Sequence, residues 1–252
     1  MEPILQVKDL SKAFSREGKP DFYAVDHVSF NVMPGEILGI VGESGSGKST
    51  IAKLVTRLID TTTGQIILDG QDITTLRGRQ LIPVYSKIQM VFQTPVGSFD
   101  PRRTLGDGIG ERLRNKGVPK AQVDARCREL LEQCGLPGDF VKRYPHEVSG
   151  GQCQRAAIAR ALVDDPKILI FDEATSALDV TVQKQIIELL QELQREKRLS
   201  YLFICHNLAL VQQFCDRVIV LYDGKVVEQG LPDDVILHPQ SAYAQRLVDA
   251  VF

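Results

Sequence analysis

Between two apolar runs, Ile37-Leu38-Gly39-Ile40-Val41 and Ile51-Ala52-Lys53-Leu54-Val55, the chain reads Gly42-Glu43-Ser44-Gly45-Ser46-Gly47-Lys48-Ser49-Thr50. A GxxxxGK(S/T) loop dictates a strand, a loop and a helix in that order. It leaves successive backbone N–H groups unscreened by side chains, so they converge on phosphate oxygens at the positive end of the helix. Within it Lys48 supplies a point charge for the β and γ phosphates, Ser49 offers a hydroxyl to Mg²⁺, and Thr50 adds a hydroxyl near the α phosphate.

The remaining composition sets bounds. At 252 residues the chain is one large α/β domain or two small ones. A formal charge of −2 provides no electrostatic footprint for nucleic acid. No run approaches the length of a membrane-spanning helix, and Met1-Glu2-Pro3-Ile4 has none of the basic and apolar character of a secretory signal, so a soluble, cytosolic chain is expected. The five cysteines are odd in number and lack C-x-x-C spacing, which predicts reduced thiols. Cys127 and Cys134 read as buried small hydrophobes on one helix face.

Along the chain, Ile4–Val7 and Ala24–Phe30 alternate as strands, and with the polar stretch Ser15–Pro20 between them they predict an antiparallel, hairpin-like start. Short strands follow at Gly64–Leu68, closed by the turn signal Asp69-Gly70, and at Ile88–Phe92. From Thr104 to about Tyr144 the texture becomes helical, with apolar spacing over Leu105–Lys116 and Lys120–Cys134. Strand and helix then alternate: Ile168–Phe171, Ala177–Glu196, Tyr201–Cys205, Leu208–Phe214 and Val218–Tyr222, with a mostly helical tail from Pro232. Strands interleaved with helices predict a mostly parallel sheet with right-handed crossovers, carrying an inserted helical segment.

Two further motifs carry chemistry. Asp172 and Glu173 follow the apolar strand Ile168–Phe171, which brings both carboxylates to the sheet edge from which the phosphate loop projects. The first can hold Mg²⁺ through water and the second can orient and deprotonate an attacking water. Upstream, Val148-Ser149-Gly150-Gly151-Gln152 opens a helix predicted over Gln152–Val163, a second anion site at a helix N-terminus.

Six motifs occur in one order: GESGSGKST, Met90-Val91-Phe92-Gln93, VSGGQ, IFDE, Ser176-Ala177-Leu178-Asp179, and Phe203-Ile204-Cys205-His206-Asn207. In that order and spacing the chain resembles an ABC-type ATPase domain over nearly its whole length. It is most similar to the ATP-binding subunits of dipeptide, oligopeptide and nickel importers, through Ser98-Phe99-Asp100-Pro101-Arg102-Arg103-Thr104, Arg143-Tyr144-Pro145-His146-Glu147, Ala177-Leu178-Asp179-Val180-Thr181-Val182-Gln183 and Leu237-His238-Pro239-Gln240-Ser241-Ala242-Tyr243.

The resemblance implies a P-loop fold: a RecA-like core with an antiparallel β subdomain over 1–93 and 164–252, and a helical signature subdomain over 94–163. It implies ATP and Mg²⁺ as ligands. Two domains would face head to tail, the nucleotide lying between one loop (Gly42, Glu43, Ser44, Gly45, Ser46, Gly47, Lys48, Ser49, Thr50) and the partner's Ser149, Gly150, Gly151 and Gln152. Glu173 resembles the general base. Gln93 resembles the glutamine that contacts Mg²⁺ and the attacking water, His206 the switch histidine on the γ phosphate, and Asp179 the aspartate that links the sites. Phe14 resembles the adenine-stacking aromatic, with Phe22 and Tyr23 as alternatives. Mg²⁺ would be held by Ser49, Gln93 and Asp172. Val148, Cys153 and Asn207 depart from the family pattern without removing a phosphate ligand or the base.

The implied partners are two membrane-spanning permease subunits docking on Thr94–Val148, a second ATPase chain that is a paralogue or a copy, and indirectly an extracytoplasmic solute-binding protein. That places the chain peripherally on the cytoplasmic face of the inner membrane. The alternative is a soluble ATPase accessory to a cytosolic assembly of the carbon–phosphorus lyase type. DNA-maintenance relatives fit less well, because neither a coiled coil nor a zinc module lies between loop and signature.

Overall fold

In a computed structural model, residues 2–16, 19–94, 96–176 and 178–250 are described. The chain opens with two long antiparallel strands, β1 (Leu5–Arg16) and β2 (Lys19–Val32), and then enters β3 (Ile37–Val41) and α1 (Lys48–Val55) on either side of the glycine-rich loop. β4 (Thr63–Leu68) pairs with β1, and the two-residue β5 (Gln71–Asp72) with β4, so four strands form one antiparallel sheet in the order β2-β1-β4-β5. The expected polar break at Ser15–Pro20 is largely strand, since pairing continues to Arg16 and Lys19. Register shifts between Val7 and Leu10 and onward to Arg16 bend this ribbon, as bulges do.

A short helix α2 (Ile82–Lys87) leads to β6 (Ile88–Val91), and the chain then turns helical through α3 (Leu105–Asn115), α4 (Lys120–Gln133) and α5 (Gly150–Leu162). Thr104 caps α3 with a capping box to Asp107, which explains its sharp start. Alternation resumes with β7 (Ile168–Asp172), α6 (Val180–Lys197), β8 (Ser200–Ile204), α7 (Leu208–Phe214) and β9 (Arg217–Tyr222), and the chain ends in β10 (Lys225–Gly230), α8 (Pro232–Leu237) and α9 (Ala242–Asp249).

The second sheet runs β10-β9-β3-β8-β7-β6, all neighbours parallel except the edge pair β10 and β9. β3, β7 and β8 are buried at every residue, the pattern of strands covered on both faces. Period-two alternation divides them between two cores. Leu38, Ile40, Ile170 and Leu202 pack toward α1 and the antiparallel sheet, while Val41, Phe171, Tyr201 and Phe203 pack toward α5 and α6. Each fully buried Leu, Ile or Phe stabilises by roughly 1.5–3 kcal/mol, so these side chains hold the C-terminal ends of β3 and β7 side by side across β8.

Several elements differ from the sequence reading. α6 starts at Val180 and not at Ala177, because the Asp179 carboxylate accepts from the Val182 N–H at 3.0 Å and stops the helix there; Ala177 itself lies outside the described residues. α5 starts two residues early, at Gly150, since Ser149 caps it, and ends at Leu162. β10 and α2 lie where no element was expected. All five cysteines are free and buried. Among the described residues no helix is long and apolar enough to cross a membrane.

Candidate nucleotide site

The glycine-rich loop leaves the C-terminal end of β3 and closes on α1 with Gly47 in the left-handed region, φ 104°. Backbone crowds it from behind: a Cβ on Gly42 would lie 2.2 Å from the Leu221 carbonyl oxygen, and one on Gly47 2.2 Å from that of Ala24. A Cβ on Gly45 would meet nothing within 4 Å, so the loop is packed on one side and open on the other. That is the shape of a cradle for a group approaching the α1 N-terminus.

Lys48 is 4% exposed, and its Nζ donates to the Gly42 and Glu43 carbonyls at 2.8 and 2.7 Å. Burial lowers its pKa from the usual lysine range, opposed by the charges of Glu173 and Asp172. Ser49 Oγ donates to Asp172 Oδ1 at 2.8 Å, bridging α1 to the end of β7. Desolvation raises the Asp172 carboxyl, and the Ser49 bond opposes it.

Glu173 follows at φ 50°, an uncommon backbone for a residue with a side chain. Its N–H donates to the Ile204 carbonyl at 3.0 Å, which ties the turn to β8. Its carboxylate accepts from Gln93 Nε2 at 3.2 Å and lies 3.9 Å from His206 Nδ1. Gln93 Nε2 also reaches Ser176 Oγ at 3.3 Å, and that hydroxyl donates to the Glu173 carbonyl at 2.9 Å. In the sequence Ser176 is only one residue of a longer motif; its place beside Gln93 comes from the turn ahead of α6.

A cavity of about 440 Å³ is lined by Lys48, Ser49, Gln93 and Glu173, whereas Asp172 and His206 do not line it. Phe14 and Phe22, Cα partners across β1 and β2, line it with Ala24. Tyr23 does not line it. Phe14 is 42% exposed, with the Lys12 ammonium 5.2 Å from its ring centre.

Ser149, Gly150, Gly151, Gln152 and Asp179 line none of this cavity. Ser149 Oγ accepts from the Gln152 N–H at 3.3 Å and Gln152 Oε1 accepts from the Ser149 N–H at 2.9 Å, a capping box on an exposed helix end. Gly151 has a packing role of its own, since a Cβ there would sit 2.5 Å from Val182 Cγ1 on α6. Of the three departures from the family pattern, Val148 packs against the core, Cys153 is fully buried, and Asn207 caps α7 by accepting from the Leu210 N–H at 3.1 Å.

A glycine cradle with a buried lysine, a serine on a strand-end aspartate and a second carboxylate beside it define a P-loop nucleoside triphosphatase. Residues 25–176 match the family described as ABC transporter. A Brucella ovis protein named as a peptide import ATP-binding protein is 44% identical over 99% of this chain and 78% of its own length. Glutathione import ATP-binding protein GsiA of Salmonella typhimurium is 47% identical over 99% of this chain, which spans 41% of GsiA. Among solved structures, the dimeric post-hydrolysis state of the ATP-binding cassette MJ0796 bound to ADP and Pi superposes with a TM-score of 0.82 at 31% identity, covering 90% of this chain and 98% of that one. cbiO1 from Clostridium perfringens, part of the ABC transporter complex cbiONQ, superposes at 0.84 with 29% identity, covering 94% and 92%. The chain belongs to the ABC transporter family, as an ATP-binding, ATP-hydrolysing cassette.

Proposed function

We propose that this chain is the ATPase subunit of an importer for peptides or a related small solute, working through separate membrane subunits. The reading rests on one observation: Lys48, Ser49, Gln93 and Glu173 line one cavity, with Asp172 bonded to Ser49 and His206 3.9 Å from Glu173, while the capped N-terminus of α5 is exposed and lines none of it. Peptide and glutathione import in the names of the relatives supports the solute class.

Within this proposal the loop Gly42–Thr50 binds the triphosphate of ATP, and Phe14 takes the adenine ring by stacking. Glu173 orients the attacking water and takes its proton; Gln93 fixes the Glu173 carboxylate; His206 contacts the γ phosphate from the other side. The Ser49 hydroxyl and the Asp172 carboxylate offer oxygens and Gln93 carries an amide oxygen, the set a hard divalent cation requires, and Mg²⁺ there would neutralise phosphate charge. Ser149, Gly150, Gly151 and Gln152 serve the nucleotide of a facing chain, with Asp179 at the seam, so the unit is a head-to-tail dimer of ATPase chains.

The segment 94–163 forms the helical subdomain, and the groove of about 590 Å³ between Met90, Phe92, Gly108, Arg112 and Arg160 is where two permease subunits dock, one per cassette. The chain then sits peripherally on the inner face of the cell membrane. Two measurements test this. Isolation from detergent-solubilised membranes is expected to recover multi-span proteins; recovery of soluble enzyme subunits alone would favour the cytosolic-assembly reading. In a mixed dimer of Ser149→Arg and Glu173→Gln chains both defects fall on one shared site and the other site is intact, so mixing is expected to restore ATPase turnover that neither variant has alone, and no restored turnover would overturn the shared site.

A further inference from the structure

The phosphate loop is braced from the far end of the chain. Tyr243, in the first turn of α9, is 5% exposed, with its ring packed against Tyr222 at 4.2 Å between centroids and tilted by 36°. Its hydroxyl accepts a 2.9 Å hydrogen bond from the Glu43 N–H. On the other side of the same residue, Lys48 Nζ donates to the Glu43 carbonyl. Glu43 is therefore held at both ends of its backbone, by a neutral phenol outside the cavity and by an ammonium inside it.

The two holds respond differently to a ligand. Phosphate oxygens are charged acceptors and form stronger bonds to an ammonium than a carbonyl does, so a bound triphosphate competes for Lys48. The Tyr243 hydroxyl has no such competitor and keeps its bond when the lysine turns away.

The position of Tyr243 is itself set by the fold. The Glu228 carboxylate on β10 accepts from the Gln240 and Ser241 N–H groups at 2.9 and 2.8 Å, and Ser241 Oγ caps α9 by accepting from the Ala244 N–H at 3.0 Å. Tyr222 ends β9, and in the turn after it the Gly224 N–H donates to the Ser46 carbonyl at 3.0 Å. The C-terminal segment thus grips the loop at two places, through Glu43 and through Ser46.

We propose that Tyr243 is a positioning residue of the nucleotide site: its hydroxyl keeps the opening turn of the phosphate loop in the shape that receives the triphosphate, which makes α9 part of the ATP site. The inference rests on the ATPase reading above. Ring burial alone would be served equally by phenylalanine, so the hydroxyl is the part with a consequence for the loop.

Tyr243→Phe keeps the ring and removes the acceptor. In the purified chain, ATP affinity by calorimetry and KM are expected to weaken about three- to tenfold, the range of one hydrogen bond, with kcat unchanged within about twofold. Hydrogen exchange at the Glu43 amide is expected to speed up. Tyr222→Phe, which alters the neighbouring ring without touching Glu43, is expected to match the wild type.

Wild-type affinity and wild-type Glu43 exchange in Tyr243→Phe would overturn the proposal, and so would a loss confined to kcat. If ATP binding is abolished by Lys48→Ala but untouched by Tyr243→Phe, only the role of Tyr243 fails. A wild-type chain that binds no ATP defeats the ATPase reading and this inference together.

Discussion

At the N-terminus of α1 a lysine ammonium is buried and held by two backbone carbonyls, whereas at the N-terminus of α5 Ser149 and Gly150 are exposed and Ser149 is bonded to Gln152 of the same helix. Both ends present N–H groups and the positive pole of a helix. Only the first adds a cation, a serine on a carboxylate and a second acid, so only the first holds the parts for hydrolysis within one chain. The second offers donors without chemistry. In the proposed function that end serves the nucleotide of a facing chain.

The sharpest way to break this contrast is Glu173→Gln. Turnover is expected to fall at least about a hundredfold with ATP affinity retained, the signature of a lost general base. Near-normal steady-state turnover would move the chemistry away from the phosphate-loop end. Lys48→Ala is expected to weaken ATP binding itself by at least about tenfold, since charge-assisted hydrogen bonds are lost from a buried site. Unchanged affinity by calorimetry would remove the distinction between the two helix ends.

At the second end, two adjacent glycines separate packing from binding. Gly151→Ala drives a methyl into Val182 and is expected to lower stability to urea by about 1–3 kcal/mol. Gly150→Ala meets only Leu178 Cδ2 at 3.9 Å and is expected to stay within about 0.5 kcal/mol of the wild type. Equal effects would show that α5 is not packed on α6 as described.

The smallest effect compares two thiols, Cys153 in the first turn of α5 and Cys205 ahead of His206. Burial pushes each up to about 11. The thiolate is the reactive form, so at pH 8 only about a thousandth of each is available and alkylation should quicken about tenfold per pH unit above that. Similar slow labelling by mass spectrometry is expected at both. Faster loss of Cys153 would identify the signature end as the one that opens first.

The sequence carried the site further than it carried the element boundaries. The loop Gly42–Thr50, the strand ending in Asp172 and Glu173, and the alternation from Lys167 onward are local patterns with direct physical readings, and they fall on β3, β7 and β8 as expected. The start of α6 was misplaced because apolar spacing runs through Ala177, although Asp179 was a readable cap. β10 was missed: Lys225–Gly230 is a half-exposed edge strand with a weak apolar pattern, and its Asp223-Gly224 turn was the available signal. Separating Tyr23 from Phe14 and Phe22, which both line the cavity, needed the register of β1 on β2, which bulges shift and sequence spacing does not encode.

From the amino-acid order alone come the phosphate cradle, the strand-end acids and the second capped helix, because each depends on neighbours within a few residues and on the fixed periods of strand and helix. Tertiary structure alone decided that Gln93 and Ser176 meet Glu173, that Gly151 is needed for packing against Val182, and that a tyrosine from α9 holds the opening of the loop. Those contacts join residues from different elements, and they form only where a close-packed core fixes which surfaces face each other.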